Sequence, residues 1–117
     1  MEYTIFKPDY LLSITGGDTE TMGEIAGIFT NQVPEFLSGM RSLLSQEKYY
    51  ELGLLAHKAK GSVTVLGMEE TAKMLKEFEL FAKAGEQKEK YIGFIDRFEA
   101  DATKVVAEVE DYLSKNR

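Results

Sequence analysis

From Met22 onward the apolar residues Met22, Ile25, Phe29, Val33, Phe36, Met40 and Leu44 recur at steps of three and four. That spacing keeps one face of a helix apolar and predicts an amphipathic helix reaching about Ser45. Pro34 lies inside the stripe. It removes one backbone hydrogen bond and should bend this helix without ending it, because the stripe continues. Asp18 stands where an N-cap carboxylate would satisfy the first free backbone N–H groups. A shorter helix precedes it. It opens at Lys7-Pro8-Asp9, with proline in the first turn, takes its contacts from Tyr10, Leu11 and Ile14, and stops at Gly16-Gly17.

A third helix is expected from about Glu47 to Leu66, with Gly67 as its stop. A fourth runs from near Met68 to Ala84 on the stripe Met68, Thr71, Ala72, Leu75, Phe78 and Ala82, and Gly85 breaks it. The last and longest is expected from about Glu86 to Lys115. Its residues Tyr91, Ile95, Phe98, Ala102, Val105, Val109 and Tyr112 alternate steps of four and three, a seam suited to a left-handed bundle. No two-residue strand period, internal repeat or low-complexity segment interrupts this pattern. Short connections make neighbouring helices antiparallel. The chain is therefore expected to be all-α, an antiparallel four-helix bundle with a short extra N-terminal helix, forming one domain over residues 1–117.

The third helix carries the candidate chemistry. At about 100° per residue, Gly53, His57, Lys60, Gly61 and Thr64 share one narrow face. Leu52, Leu55, Ala59, Ser62 and Leu66 lie opposite, flanked by Ala56 and Val63. The exposed face thus holds the chain's only histidine, a cation one turn away and two positions without side chains. A neutral imidazole nitrogen is a nucleophile that can carry a covalent intermediate. An ammonium at Lys60 can neutralise a phosphoryl group. Each glycine lowers helix stability by about 1 kcal/mol relative to alanine, so two beside the histidine suggest room for another protein's backbone.

His57-x-x-Lys60-Gly61-Ser62 followed by Leu66-Gly67 resembles the signature of the HPt (histidine phosphotransfer) domain of bacterial multistep phosphorelays. The Gly16-Gly17-Asp18 opening, the second helix with Pro34 and the Ala84-Gly85 break extend the resemblance over nearly the whole chain. It implies a helical bundle whose central histidine takes a phosphoryl group from one receiver aspartate and passes it to another. It also implies response-regulator receiver domains and a hybrid sensor histidine kinase as partners. The carrier would need no cofactor of its own, with Mg²⁺ supplied by the receiver.

Composition narrows the alternatives. Apolar residues make up 44% of the 117, enough for a core. There is no cysteine, which excludes disulfides and thiolate zinc sites and fits a reducing compartment. With one histidine and no EF-hand loop, no metal site of the protein's own is expected. Met1 to Phe6 is too short and too acidic for a signal peptide, and no apolar run approaches a membrane span. A cytoplasmic protein without membrane association is expected, free-standing and monomeric. The net charge of −6 argues against nucleic acid as a partner. That charge is uneven: Leu52 to Met68 contains no Asp or Glu although the chain has 20, and it holds Lys58 and Lys60. A locally positive window would steer a phosphoryl anion or an acidic partner pocket.

Glu79 falls in the middle of the fourth helix's stripe, an odd place for a carboxylate. From His57 to Leu66 the helix rises about 14 Å, and from Met68 to Glu79 its antiparallel neighbour returns about 16 Å, so Glu79 comes level with His57. It would then either bond one ring nitrogen and orient the other for attack, or reach solvent or a lysine at a gap in the bundle. The resemblance favours the first, because the family commonly carries Gln or Glu here. Lys83, one turn on, is a candidate helper cation for a docking partner. Thr64, Leu54, Val65 and Lys58, with Gly53 and Gly61, complete the expected docking surface; Leu54 and Val65 could instead be half-buried against a neighbouring helix. Ser62 is expected to bond back to a carbonyl of its own helix.

The chain holds no G-x-x-x-x-G-K-[ST] and no kinase-type glycine loop. It is expected to be a phosphocarrier and not an enzyme, receiving phosphate from another protein. The competing reading is a helical adaptor that binds a partner without chemistry. A hydrolase using His57 as base is disfavoured, since no serine shares its face and Thr64 lies two turns away.

Overall fold

The computed structural model describes residues 3–116; Met1, Glu2 and Arg117, the first two of which belong to the N-terminal stretch read above, lie outside the described residues. Five helices follow in order: α1 (Pro8–Thr15), α2 (Thr19–Ser45), α3 (Tyr49–Val65), α4 (Glu69–Ala84) and α5 (Tyr91–Asn116). No strand occurs among the described residues. The four long helices form an elongated bundle of 45 × 21 × 21 Å. α3 packs most extensively on α4 and flanks α2 on its other side, while α5 closes the bundle against α2 and α4.

The apolar stripes meet along the bundle axis. Phe36, Met40, Leu52, Ala56, Leu75, Phe78, Ile95, Phe98 and Ala102 are all buried. Local signals set the ends. Asp18 Oδ1 accepts from the Glu20 N–H at 3.3 Å, and its other oxygen accepts from the Thr21 hydroxyl at 2.6 Å, capping α2 as expected. α2 runs through Pro34 without a break, since its buried Phe29, Phe36 and Met40 hold both halves to the same core. Gly16 ends α1 at φ +65°, and Gly85 ends α4 at φ +67°, in the left-handed region that glycine enters without steric cost.

Gly67 is required more strictly. Its φ is +70°, and a Cβ there would collide with the Lys7 carbonyl oxygen. The N-terminal segment crosses the end of α3 at this point, with the Lys7 N–H donating to the Leu66 carbonyl at 3.1 Å.

Two expectations change. The last helix starts at Tyr91, not Glu86. Gln87 adopts φ +56°, a short 3-10 turn covers Lys88–Lys90, and the Tyr91 hydroxyl shares its one proton between the Glu86 carbonyl at 2.5 Å and the Phe81 carbonyl at 2.8 Å. These bonds tie the connection back onto α4 and delay the helix. The second change is in α5, where the apolar stripe contains a buried carboxylate, Glu108, at 2% exposure. It accepts from the backbone N–H groups of Thr4, Ile5 and Phe6 and from the Thr4 hydroxyl, at 2.9–3.2 Å. The N-terminal segment is thereby strapped across the bundle end, and Phe6 is buried edge-to-face with Tyr3 and Tyr112.

Candidate functional site

α3 presents His57 midway along the bundle's flank, its side chain 61% exposed. Directly behind it on α4, Glu79 is almost completely buried, at 4%. The His57 Nδ1 and Glu79 Oε1 lie 3.1 Å apart. The antiparallel return of α4 does bring the two residues level, and the carboxylate's burial belongs to this contact.

Two lysines hold the carboxylate from its own helix. Lys83 Nζ donates to Glu79 Oε2 at 2.7 Å, and Lys76 Nζ stands 3.7 Å from Oε1, the oxygen that faces the histidine. Burial pushes the Glu79 carboxyl up, but the hydrogen bonds from Lys83 and His57, with the charge of Lys76, outweigh it and lower its pKa to about 2. Glu79 is therefore ionised near neutral pH and can only accept. The ring nitrogen facing it must carry the proton. In the neutral ring this makes Nδ1–H the donor and leaves the Nε2 lone pair directed away from the bundle, toward solvent.

The other sequence-derived residues distribute as follows. Lys60 is half-buried one turn from His57 and has no carboxylate within 4 Å among the described residues. Its charge is not spent on an ion pair there. Gly61 is exposed, and a Cβ on it would meet nothing within 4 Å. Leu54, 46% exposed, and Lys58 are open to solvent on the same flank. Thr64 is exposed as well, but its hydroxyl donates to the Lys60 carbonyl at 2.8 Å, so only its lone pairs remain for a visitor.

Three expectations are corrected and one left open is decided. Gly53 is buried against α4 and offers nothing to a partner. A Cβ there would come to 2.7 Å from Lys83 Cγ and 2.9 Å from the Glu79 carbonyl oxygen, because α4 crosses α3 at this turn. Lys83 is half-buried and committed to Glu79, so it braces the carboxylate instead of serving as an open docking cation. Val65 is half-buried in a small apolar recess with Ile25, Ile28 and Leu66, the second of the two places left open for it. Ser62 does not bond to its own helix. Its hydroxyl donates to Gln32 Oε1 of α2 at 3.0 Å, since it faces α2 across the α2–α3 seam. Lys76 was not singled out from the sequence. Its i−3 spacing from Glu79 was the available signal.

A helical bundle bearing one solvent-exposed imidazole, held from behind by a buried carboxylate, has the form of a histidine-based phosphocarrier. Within that class the chain belongs to the Hpt domain family, which matches residues 24–114. That span takes in most of α2, all of α3 and α4, and α5 almost to its end. Membership makes histidine phosphotransfer in phosphorelays the chain's role, as a phosphocarrier that works with receiver-domain partners. Neither the curated proteins nor the solved structures compared with it hold a match. No helix among the described residues is long and apolar enough to cross a membrane.

Proposed function

We propose that His57 accepts a phosphoryl group from the aspartate of one receiver domain and delivers it to the aspartate of another. The observation that carries this reading is the 3.1 Å contact of His57 Nδ1 with the buried, ionised Glu79. With Nδ1–H held there, the Nε2 lone pair attacks phosphorus, the bond from phosphorus to the aspartyl oxygen breaks, and aspartate leaves as a carboxylate. No proton has to move. The ring becomes a phosphorylated imidazolium, and the fixed charge of Glu79 stabilises its positive charge. The same arrangement favours the reverse step, because the ring can leave as a neutral imidazole already in the correct tautomer.

Lys60 neutralises part of the phosphoryl charge in this reading. Gly61 leaves space for the receiver's loops, and Leu54, Lys58 and Thr64 meet its surface. Mg²⁺ belongs to the receiver, beside its aspartate. A hybrid sensor kinase is the natural source of the first receiver, and the carrier acts as a monomer in the cytoplasm. Incubation with a phosphorylated receiver domain tests the assignment. The chain should acquire acid-labile, base-stable phosphate, and His57→Gln should abolish the label without loss of helicity. A stable complex with the receiver but no label would make the chain an adaptor instead.

A further inference from the structure

Gly53 has no place in the chemistry described so far, yet it lies at the closest approach of the two helices that build the site. It is fully within the α3–α4 seam, one turn before His57. A methyl group there would stand 2.9 Å from the Glu79 carbonyl oxygen, 3.1 Å from the Lys83 backbone nitrogen and 2.7 Å from Lys83 Cγ. Two of those three atoms are backbone, which cannot swing aside as a side chain can. They belong to the two residues of α4 that the histidine depends on: Glu79, which touches the ring, and Lys83, which holds Glu79.

We propose that Gly53 is a positioning residue for phosphotransfer: by lacking a Cβ it sets α4 at the distance from α3 at which Glu79 fixes His57 in its Nδ1–H form. The geometry leaves little slack. The Glu79–His57 contact is 3.1 Å, near the outer end of an ordinary N–H···O bond. Moving α4 outward by several tenths of an ångström to admit a methyl group lengthens or breaks it. The buried carboxylate cannot follow the ring, because it is carried on α4 and moves outward with that helix. Released from Glu79, the imidazole reverts to its intrinsic preference for the Nε2–H tautomer, which removes the lone pair from the exposed nitrogen. Gly61, on the same helix, is the contrasting case, since a Cβ there meets nothing within 4 Å.

This inference rests on the reading of His57 as the phosphoryl acceptor, but its primary readout is independent of transfer. Long-range ¹H–¹⁵N spectra of the full chain report which ring nitrogen of His57 is protonated. The wild type should show Nδ1–H. Gly53→Ala should move the ring toward Nε2–H and slow phosphotransfer from a receiver by roughly tenfold or more, short of the 10²-fold that misplacement of about 1 Å can cause. Gly61→Ala should leave the ring signature unchanged. In a Glu79→Ala background Gly53→Ala should add nothing further to either readout, as expected of a residue acting through Glu79. If Gly53→Ala fails to fold, Gly53→Ala/Lys83→Ala, which lacks the Cγ at the nearest contact, is compared with Lys83→Ala alone and should show the same shift. An unchanged tautomer in Gly53→Ala overturns the proposal, as does loss of folding in both variants. A shifted tautomer in a protein whose wild type takes no phosphate would keep this geometry and remove the phosphotransfer reading instead.

Discussion

At His57 and its neighbours, the site works by difference: two cations are spent on Glu79 while Lys60 is not, and one glycine is open while another is closed. Lys60 has no carboxylate within 4 Å among the described residues, whereas Lys76 and Lys83 are drawn to Glu79. Lys60→Ala should therefore lower the transfer rate without abolishing it, because the nucleophile and its tautomer stay intact; rapid-quench transfer from a phosphorylated receiver measures this. Gly61→Gln should slow transfer through a receiver-facing clash while the unfolding midpoint in urea stays equal or rises, since a side chain there meets open space and glutamine is the better helix former. Normal transfer by that variant would remove the reason given for the glycine. Glu79 titrates at about 2 in the folded chain against its usual 4.5, so the unfolded chain binds its proton first as pH falls. The stability it contributes is complete above about pH 4.5 and is lost as pH falls toward 2. Urea unfolding of the wild type and Glu79→Gln should thus differ most near neutral pH, with the gap closing on acidification.

Among the helices, the short joints decide how the long rods meet. α3 ends where Gly67 turns left-handed under the Lys7 carbonyl, and no residue with a Cβ fits that crossing. Gly67→Ala should destabilise the fold by about 1–3 kcal/mol from the left-handed backbone and the collision together, read by chemical denaturation. His57 should keep its contact with Glu79, since α3 packs more extensively on α4 than on any other helix and His57 lies nine residues before Leu66. The α2–α3 seam, packed through Leu55 against Gly39, also carries the Ser62–Gln32 hydrogen bond at 3.0 Å. The Arg41 bridges from α2 to Asp96 and Glu99 of α5 are exposed and contribute little.

For the molecule as a whole, Glu108 joins the two ends of the chain. Burial raises its pKa, but hydrogen bonds from the Phe6, Ile5 and Thr4 backbone and the Thr4 hydroxyl outweigh this and lower it overall. Like Glu79, it supports the fold above the ordinary carboxylate range and loses that contribution on acidification. Glu108→Gln should lower stability by about 2–3 kcal/mol, because charge-assisted bonds to three backbone N–H groups are replaced by weaker or missing ones. The loss should appear first as faster hydrogen exchange at Ile5 and Phe6, with the ring signature of His57, at the middle of α3, unchanged. Equal exchange protection in variant and wild type would contradict the clasp.

Periodicity alone sufficed for the helices, because a stripe at steps of three and four has one way to be buried. Rise per residue and an antiparallel turn were also enough to bring Glu79 level with His57, but they left open whether the carboxylate meets the ring or a lysine; in the packed bundle it meets both. Face angles on an isolated helix could not tell that Gly53 and Gly61, both in line with His57, have opposite surroundings. Only the course of α4 decides that, burying one and leaving the other open. In the same way Ser62 and Val65 took their partners from α2, and Glu108 from a segment about a hundred positions away. Local pattern determines what each helix must hide; which neighbour hides it is settled by the packing of the rest.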